Sequence, residues 1–229
     1  MKSFISLLFL FWSAACFSQN IRIPDLNFKK QLISLGFDTN DDGQIQVGEA
    51  ANIKKLYIND LGIVNLEGIH SFVNLEELGC YNNKITSLDL SSLTKLKYLF
   101  AKNNRIIFVD LSNATELLDL SLEGNFFIKE LDLSRFKKLK SLNFSDNQVA
   151  QLDVTGLSQL EFINGNNNQL VSISIKGLSS LKTLLLKNNP LQPTIDIRGL
   201  TRLEYLDCTG CNLLYLNFSG TVHLKNYYW

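Results

Sequence analysis

Four carboxylates, three carboxamides and two glycines fall within the twelve residues Asp38-Thr39-Asn40-Asp41-Asp42-Gly43-Gln44-Ile45-Gln46-Val47-Gly48-Glu49. Oxygen donors at this density suit a hard cation, which draws roughly six to eight oxygens from a flexible loop. Asp38, Asn40 and Asp42 alternate, so their side-chain oxygens can converge, while Gln44 can offer its backbone carbonyl and Glu49 both oxygens of its carboxylate. Gln46 can contribute through water, Gly43 permits a sharp turn, and Ile45 is placed as an apolar anchor. Asp41 falls outside the ligand positions. Three ligating carboxylates this close together repel one another unless a cation lies among them. The alternative is a polar Asp/Asn/Gly turn with no ion, in which the glycine, the apolar anchor and the terminal Glu coincide by accident.

This spacing resembles the EF-hand calcium loop at every ligand position, which implies a calcium ion held by Asp38, Asn40, Asp42, Gln44, Gln46 and Glu49. The flanks differ from those of a calcium sensor. Pro24-Asp25 can start a helix through Leu26, Phe28, Leu32, Ile33 and Leu35, which Gly36 ends, with Phe37 folding back behind it. Ala50, Ala51, Ile53 and Leu56 then lead directly towards a strand, and the loop has no partner loop and no Met-rich groove. The expected role of the ion is therefore structural. It would pin a small helical cap, residues 20–52, over the open end of the elements that follow.

Those elements are repeats. Asparagine recurs at Asn83, Asn104, Asn125, Asn147, Asn168 and Asn189, a period of 21 or 22 residues. Leu75-x-x-Leu78-x-Cys80-x-x-Asn83-x-Ile85 returns as Leu96-x-x-Leu99-x-Ala101-x-x-Asn104-x-Ile106 and again as Leu139-x-x-Leu142-x-Phe144-x-x-Asn147-x-Val149. Units start at Ile53, Leu75, Leu96, Leu117, Leu139, Leu160, Leu181 and Leu203, and Leu224 opens a ninth that runs only to Trp229. Leu61 and Cys211 stand where the first and eighth units would carry the Asn. The pattern resembles leucine-rich repeat proteins. That resemblance implies an α/β solenoid of about eight repeats over residues 53–229, with a parallel β-sheet on its concave face.

Alternate residues of a strand face opposite sides, so Leu78, Leu99, Leu120, Leu142, Ile163, Leu184 and Leu206 should stack as one buried column. Parallel columns follow at Ile85/Ile106/Phe127/Val149/Leu170/Leu191/Leu213 and Leu88/Val109/Leu131/Leu152/Ile173/Ile195/Leu216. The Asn amides should pair backbone groups of their own and the neighbouring coil. Asp89, Asp110, Asp132, Asp153, Ser174, Asp196 and Asn217 form a further column after each turn, with Ser91, Ser112, Ser134 and Thr155 two positions on. Such residues accept bonds from nearby backbone N–H groups at bends. Carboxylates on neighbouring coils could instead form an ion-binding acidic ladder, but Ser174 and Asn217 interrupt the column without breaking the repeat.

The chain has 229 residues, 45% of them hydrophobic, and equal acidic and basic counts of 22, which argues against nucleic acid as a partner. Lys2 followed by the apolar run Phe4 to Trp12 resembles a secretory leader over residues 1–19, too short to span a bilayer, so a secreted, periplasmic or cell-surface protein is expected. Cleavage near Ser18 or Gln19 is favoured. Ala14-Ala15-Cys16 also resembles the end of a bacterial lipobox, which would anchor Cys16 to lipid, although Ser13 replaces the usual Leu. Cys208-Thr209-Gly210-Cys211 has neither a second pair nor a thioredoxin-like context, and both cysteines fall on inward positions as small buried residues.

Residues between the inward positions should project from the concave sheet. Near the first coils these are Lys55, Tyr57, Asn59, Glu77, Tyr81, Tyr98, Phe100 and Lys102; then follow Asp119, Ser121, Glu123, Ser141, Asn143, Ser145, Asn164, Asn166 and Asn167; Phe162, Thr183, Leu185, Lys187, Tyr205 and Asp207 lie towards the end. Tyr57, Tyr81, Tyr98 and Phe100, with Phe162 and Tyr205 further along, are the expected ligand-binding aromatics. Packing of the rings on one another across strands is the competing explanation. The expected function is non-enzymatic recognition or adhesion, with a protein or glycan as partner. The alternatives are a self-associating surface-layer protein and a hydrolase using Asp119 and Glu123. A monomer is expected, with end-to-end association through Tyr227 and Trp229 as the other outcome.

Overall fold

Each repeat folds as one coil carrying a three-residue strand, and the strands of successive coils hydrogen-bond side by side in parallel. The computed structural model describes residues 19–125, 131–191 and 193–229; the leader with Cys16, and Phe127 of the second apolar column, lie outside them. Numbered in chain order, the described strands are β1 (Lys55–Tyr57), β2 (Glu77–Gly79), β3 (Ser87–Asp89), β4 (Tyr98–Phe100), β5 (Phe108–Asp110), β6 (Asp119–Ser121) and β7 (Ser141–Asn143). They continue as β8 (Gln151–Asp153), β9 (Phe162–Asn164), β10 (Ser172–Ser174), β11 (Thr183–Leu185), β12 (Tyr205–Asp207) and β13 (Asn226–Tyr228). One nine-stranded sheet runs β1-β2-β4-β6-β7-β9-β11-β12-β13, and two short parallel pairs, β3-β5 and β8-β10, lie on the other side of the coils.

The register follows the sequence period. Leu56, Leu78, Leu99, Leu120, Leu142, Ile163, Leu184 and Leu206 are matched partners at the centre of their strands and are fully buried. A coil's apolar side chains cannot bury one another alone; stacked coils make them one continuous core. The chain is a leucine-rich repeat solenoid. The column at the far edge is looser than expected: Leu88, Leu152, Ile195 and Leu216 are buried, but Val109, Leu131 and Ile173 are only partly covered.

Asparagine closes each turn as predicted. Asn104 Nδ2 donates to the carbonyls of Cys80 (2.9 Å) in the preceding coil and Ala101 (3.2 Å) in its own, while its Oδ1 accepts the Ile85 N–H (3.1 Å). Asn83, Asn125, Asn168 and Asn189 repeat this arrangement. The Asp column is structural too. Oδ1 of Asp89, Asp110, Asp132, Asp153 and Asp196 accepts the backbone N–H two residues on, which accounts for these carboxylates without an ion.

The cap covers the first coil. Helix α1 (Leu26–Ser34) starts at Asp25, whose Oδ1 accepts the N–H groups of Asn27 and Phe28, and ends with Gly36 at φ 76° and a Phe37 N–H bond back to Leu32 O. Phe28 and Leu32 are buried, with Phe28 packed 6.3 Å from Phe72 of the first coil, whereas Leu26, Ile33 and Leu35 stay exposed on the outer side. The second Asp25 oxygen accepts the N–H groups of Val64 (2.7 Å) and Asn65 (3.3 Å), tying the start of the helix to the first coil. At the other end Tyr227 takes the inward register position beside Leu206 and packs 5.0 Å from Phe218, although half of its surface remains exposed.

Candidate functional site

The concave sheet presents two outward rows. Register places Lys55, Glu77, Tyr98, Asp119, Ser141, Phe162, Thr183, Tyr205 and Asn226 in one, and Tyr57, Gly79, Phe100, Ser121, Asn143, Asn164, Leu185, Asp207 and Tyr228 in the other. Tyr57 and Tyr98 are exposed, and Tyr81, Phe100, Phe162 and Tyr205 are half-buried. Among the described residues no ring of Tyr57, Tyr81, Tyr98 and Phe100 packs face or edge on another, so mutual packing does not explain them. Instead Tyr57 lies over Gly79, where an added Cβ would come within 2.8 Å of its ring, and its hydroxyl donates to Glu77. Lys55 Nζ sits 3.0 Å from the other Glu77 oxygen, and Lys102 Nζ lies 5.8 Å from the centre of the Tyr81 ring. Hydrogen bonds from Tyr57 and Lys55 hold the Glu77 carboxyl below its ordinary range.

Phe162 and Tyr205 belong to a second aromatic region. Tyr205 packs 6.0 Å from Tyr228, and the coils bearing Asp119, Ser121, Ser141 and Asn143 separate this pair from the first group. Two expected face residues behave differently. Ser145 is buried, its hydroxyl donating to Asn143 Oδ1 (2.9 Å), and Asn167 occupies a left-handed turn position at φ 54°. A serine is small enough to fold under the sheet edge, and an asparagine tolerates positive φ.

Asp119 and Glu123 lie on one coil and are held by different partners. Burial pushes the Asp119 carboxyl up, opposed by a bond from Ser141, while Glu123 accepts from Asn143 Nδ2 (2.9 Å).

In the cap loop, Asp38 is buried and its two oxygens accept the N–H groups of Asp42 (3.2 Å) and Gly43 (2.8 Å). Asn40 Oδ1 accepts Asp42 N–H, Asp42 Oδ1 accepts Gln44 N–H, and Gln46 Nε2 donates to Asp42 Oδ2 (2.8 Å). Gly43 and Asp41 supply the turn at φ 76° and 58°. Ile45 is buried as the anchor, and its carbonyl accepts Ile21 N–H, so the strap of residues 19–21 takes the pairing that a second loop would otherwise provide. Glu49 lies in the single-turn helix α2 (Val47–Ala50); its oxygens accept Thr39 N–H (2.6 Å), the Thr39 hydroxyl (2.7 Å) and Gln46 N–H (2.9 Å). Burial raises the Glu49 pKa, but these bonds outweigh it and leave the carboxyl lowered.

Among the described residues no three Asp, Glu, His or Cys side chains gather into a metal-holding group, and Glu49 bonds Thr39 and Gln46. The donor set nonetheless fits a hard cation. None of Asp38, Asp42 and Glu49 is in an ion pair among the described residues, and carboxylate oxygens that accept N–H bonds keep lone pairs for a metal. The side chain of Gln44 bonds Lys29 Nζ (2.8 Å), which leaves its backbone carbonyl as the available donor.

Two crevices, of about 570 and 430 Å³, lie among the Asp/Ser turns on the convex side rather than on the concave sheet. The residues that sequence reasoning missed here are Gly79, which clears the floor for Tyr57, and the second oxygen of Asp25.

Parallel coils stacked in this register define a leucine-rich repeat scaffold. No protein-family model matches the chain, and no curated protein matches it. Solved structures do. Internalin C2 from Listeria monocytogenes is 22% identical, with a TM-score of 0.69 over 89% of this chain and 91% of that one. A leucine-rich repeat protein of Leptospira interrogans is 25% identical, with a TM-score of 0.68 over 80% of this chain and 50% of that one. The leucine-rich effector protein YopM from Yersinia pestis is 23% identical, with a TM-score of 0.64 over 77% of this chain and 56% of that one. The chain therefore spans about half the length of the last two. Among the described residues no helix is long and apolar enough to cross a membrane.

Proposed function

We propose that this chain is a non-enzymatic, exported recognition module that engages a protein or glycan through its concave sheet, with calcium held in the cap. The observation that supports it most is the group formed by Tyr57, Tyr81, Tyr98 and Phe100, whose rings stand on a rigid sheet without packing on one another. Aromatic side chains give large contact area for little entropy, and a scaffold that fixes their backbones lowers the cost of binding. The internalin-like fold of the neighbours and the apolar leader agree with this role. The discriminating experiment is capture of ligands from protein and glycan panels by the mature chain, repeated with Tyr81→Ala/Tyr98→Ala/Phe100→Ala. The variant should fold normally and bind at least tenfold more weakly; undiminished affinity rejects the face.

Calcium would be held by Asp38, Asn40, Asp42, the Gln44 carbonyl and Glu49, with Gln46 acting through water. It would relieve repulsion among three carboxylates and brace the cap over the first coil. Calorimetric titration should give one site, and a chelator should lower the melting temperature. No heat and no shift would remove calcium from the account. Self-association through the half-exposed Tyr227, Tyr228 and Trp229 is the second reading, and light scattering that found dimers at micromolar concentration would favour it.

A further inference from the structure

The turn after β12 brings two thiols together. Cys211 N–H donates to Cys208 O at 3.0 Å, so these are the first and fourth residues of a β-turn whose third residue, Gly210, has φ 75°. The ends of such a turn lie within about 7 Å between Cα atoms, overlapping the span of roughly 4.4–6.8 Å that a disulfide bridges. Both side chains face inward, Cys208 in the column of Cys80 and Cys211 at the ladder position, where its Sγ reaches Leu186 O of the preceding coil at 3.1 Å. They differ in access, since Cys208 is buried and Cys211 only partly so.

We propose that Cys208 and Cys211 form a redox-active pair that closes to an intrachain disulfide by exchange with a low-molecular-weight disulfide. The more accessible Cys211 loses its proton and attacks one sulfur of the reagent. The reagent's S–S bond breaks, and its other sulfur leaves with the bonding electrons and takes up a proton. Cys208, deprotonated in turn, attacks Cys211 in the mixed disulfide and expels the second reagent sulfur, which is likewise protonated. Two protein thiols are oxidised and one disulfide is reduced to two thiols.

The surroundings favour this order. The neighbouring Cys208 thiol lowers the Cys211 pKa against burial, whereas Cys208, beside Cys211 and with less solvent, is pushed up. Cys80 is an internal control: it is buried without a second thiol, and burial pushes it up to about 12. The turn is stitched on both sides, Cys208 N–H to Tyr228 O (2.7 Å) and Asn188 N–H to Thr209 O (2.8 Å), so closure is local. The Cys211 Sγ–H bond to Leu186 O (3.1 Å) is surrendered.

The test treats the folded full chain with oxidised glutathione, alkylates remaining thiols in denaturant, and maps peptides by mass. The expected product has lost two hydrogens, carries a Cys208–Cys211 cross-link, and leaves Cys80 alkylated. Cys208→Ser should stop at a glutathione adduct on Cys211. Cys211→Asn, which restores the residue used in the other coils, should fold and leave Cys208 unmodified. Wild-type chain in which Cys211 remains alkylatable, or stops at the adduct, overturns the proposal.

Discussion

Two ladders of polar side chains climb this solenoid one residue apart, the inner all Asn and the outer Asn with Asp60 and Asp146, and they do different work. The inner one, Asn83, Asn104, Asn125, Asn147, Asn168 and Asn189, is buried. Its amides serve the backbone: carbonyls and N–H groups inside the coils that no water can reach. The outer one, Asp60, Asn82, Asn103, Asp146, Asn167 and Asn188, is exposed, and all six backbones are left-handed, with φ from 53° to 61°. Its side chains bond one another: Asn82 to Asp60 (2.8 Å), Asn103 to Asn82 (2.9 Å), Asn167 to Asp146 (2.8 Å) and Asn188 to Asn167 (2.7 Å). Gly124 and Gly210 interrupt the series; there an added Cβ would come within 2.5 and 2.6 Å of Asn103 and Asn188 Oδ1. The same side chain thus serves the fold where it is dry and the turn where it is wet.

The largest effect should come from the dry ladder. Asn104→Ala leaves the Ile85 N–H without its partner in the core and takes one of two amide bonds from the Cys80 and Ala101 carbonyls, to which Asn83 and Asn125 still donate. The buried orphan costs about 1–3 kcal/mol and the two thinned carbonyls add less, so a loss of roughly 2–4 kcal/mol in urea denaturation is expected. A loss under about 1 kcal/mol would mean that water can replace the amide, and the contrast between the ladders would fall.

Asp25 tests an intermediate case, half-buried and bonded to backbone. Burial raises its pKa, yet the N–H bonds from Val64, Phe28, Asn65 and Asn27 outweigh this and the carboxyl ends below its ordinary 3.8. Because the folded value is depressed, its contribution is full above the unfolded value and is lost as pH falls through the folded one. Wild-type chain should therefore lose stability below about pH 4 more steeply than Asp25→Asn. Equal slopes in acid titrations followed by circular dichroism would place the cap's attachment elsewhere.

Much of this was legible in the residues, for a physical reason. A coil that buries the same positions every 21 or 22 residues writes its core into the sequence, so the Leu78 column, the inner Asn ladder and the strand register followed directly. The helix start at Asp25 and its Gly36 stop were equally readable, because caps use few residue types. Contacts between coils were not. That Tyr57 lies over Gly79, or that Asp25 reaches Val64, depends on side-chain direction across a stack and leaves no period to detect. The outer ladder did leave one: the residue before each inner Asn is Asn, Asp or Gly at Asn82, Asn103, Gly124, Asp146, Asn167 and Asn188, the types that tolerate a left-handed backbone. Reading Asn167 as a face residue overlooked that signal. The loop's chelating spacing was plain, but the hold of Thr39 on Glu49 was not, since Thr39 is no ligand in the pattern.

The smallest effect belongs to the wet ladder, and it is the sharpest test of the contrast because three small contributions cancel. Asn82→Gly removes one exposed bond to Asp60 and one from Asn103, each replaceable by water for under about 1 kcal/mol. It also removes the cost of holding an L residue at φ 55°, roughly 1 kcal/mol. Against that, glycine widens the unfolded ensemble by about 0.5–1 kcal/mol. The sum should stay within about 1 kcal/mol of wild type. Asn82→Leu loses the same bonds while keeping the backbone cost and forfeiting the tolerance of asparagine, so it should be the less stable of the two. If leucine matched glycine there, the left-handed backbone would not be what selects the outer residues, and the side-chain bonds themselves would have to be.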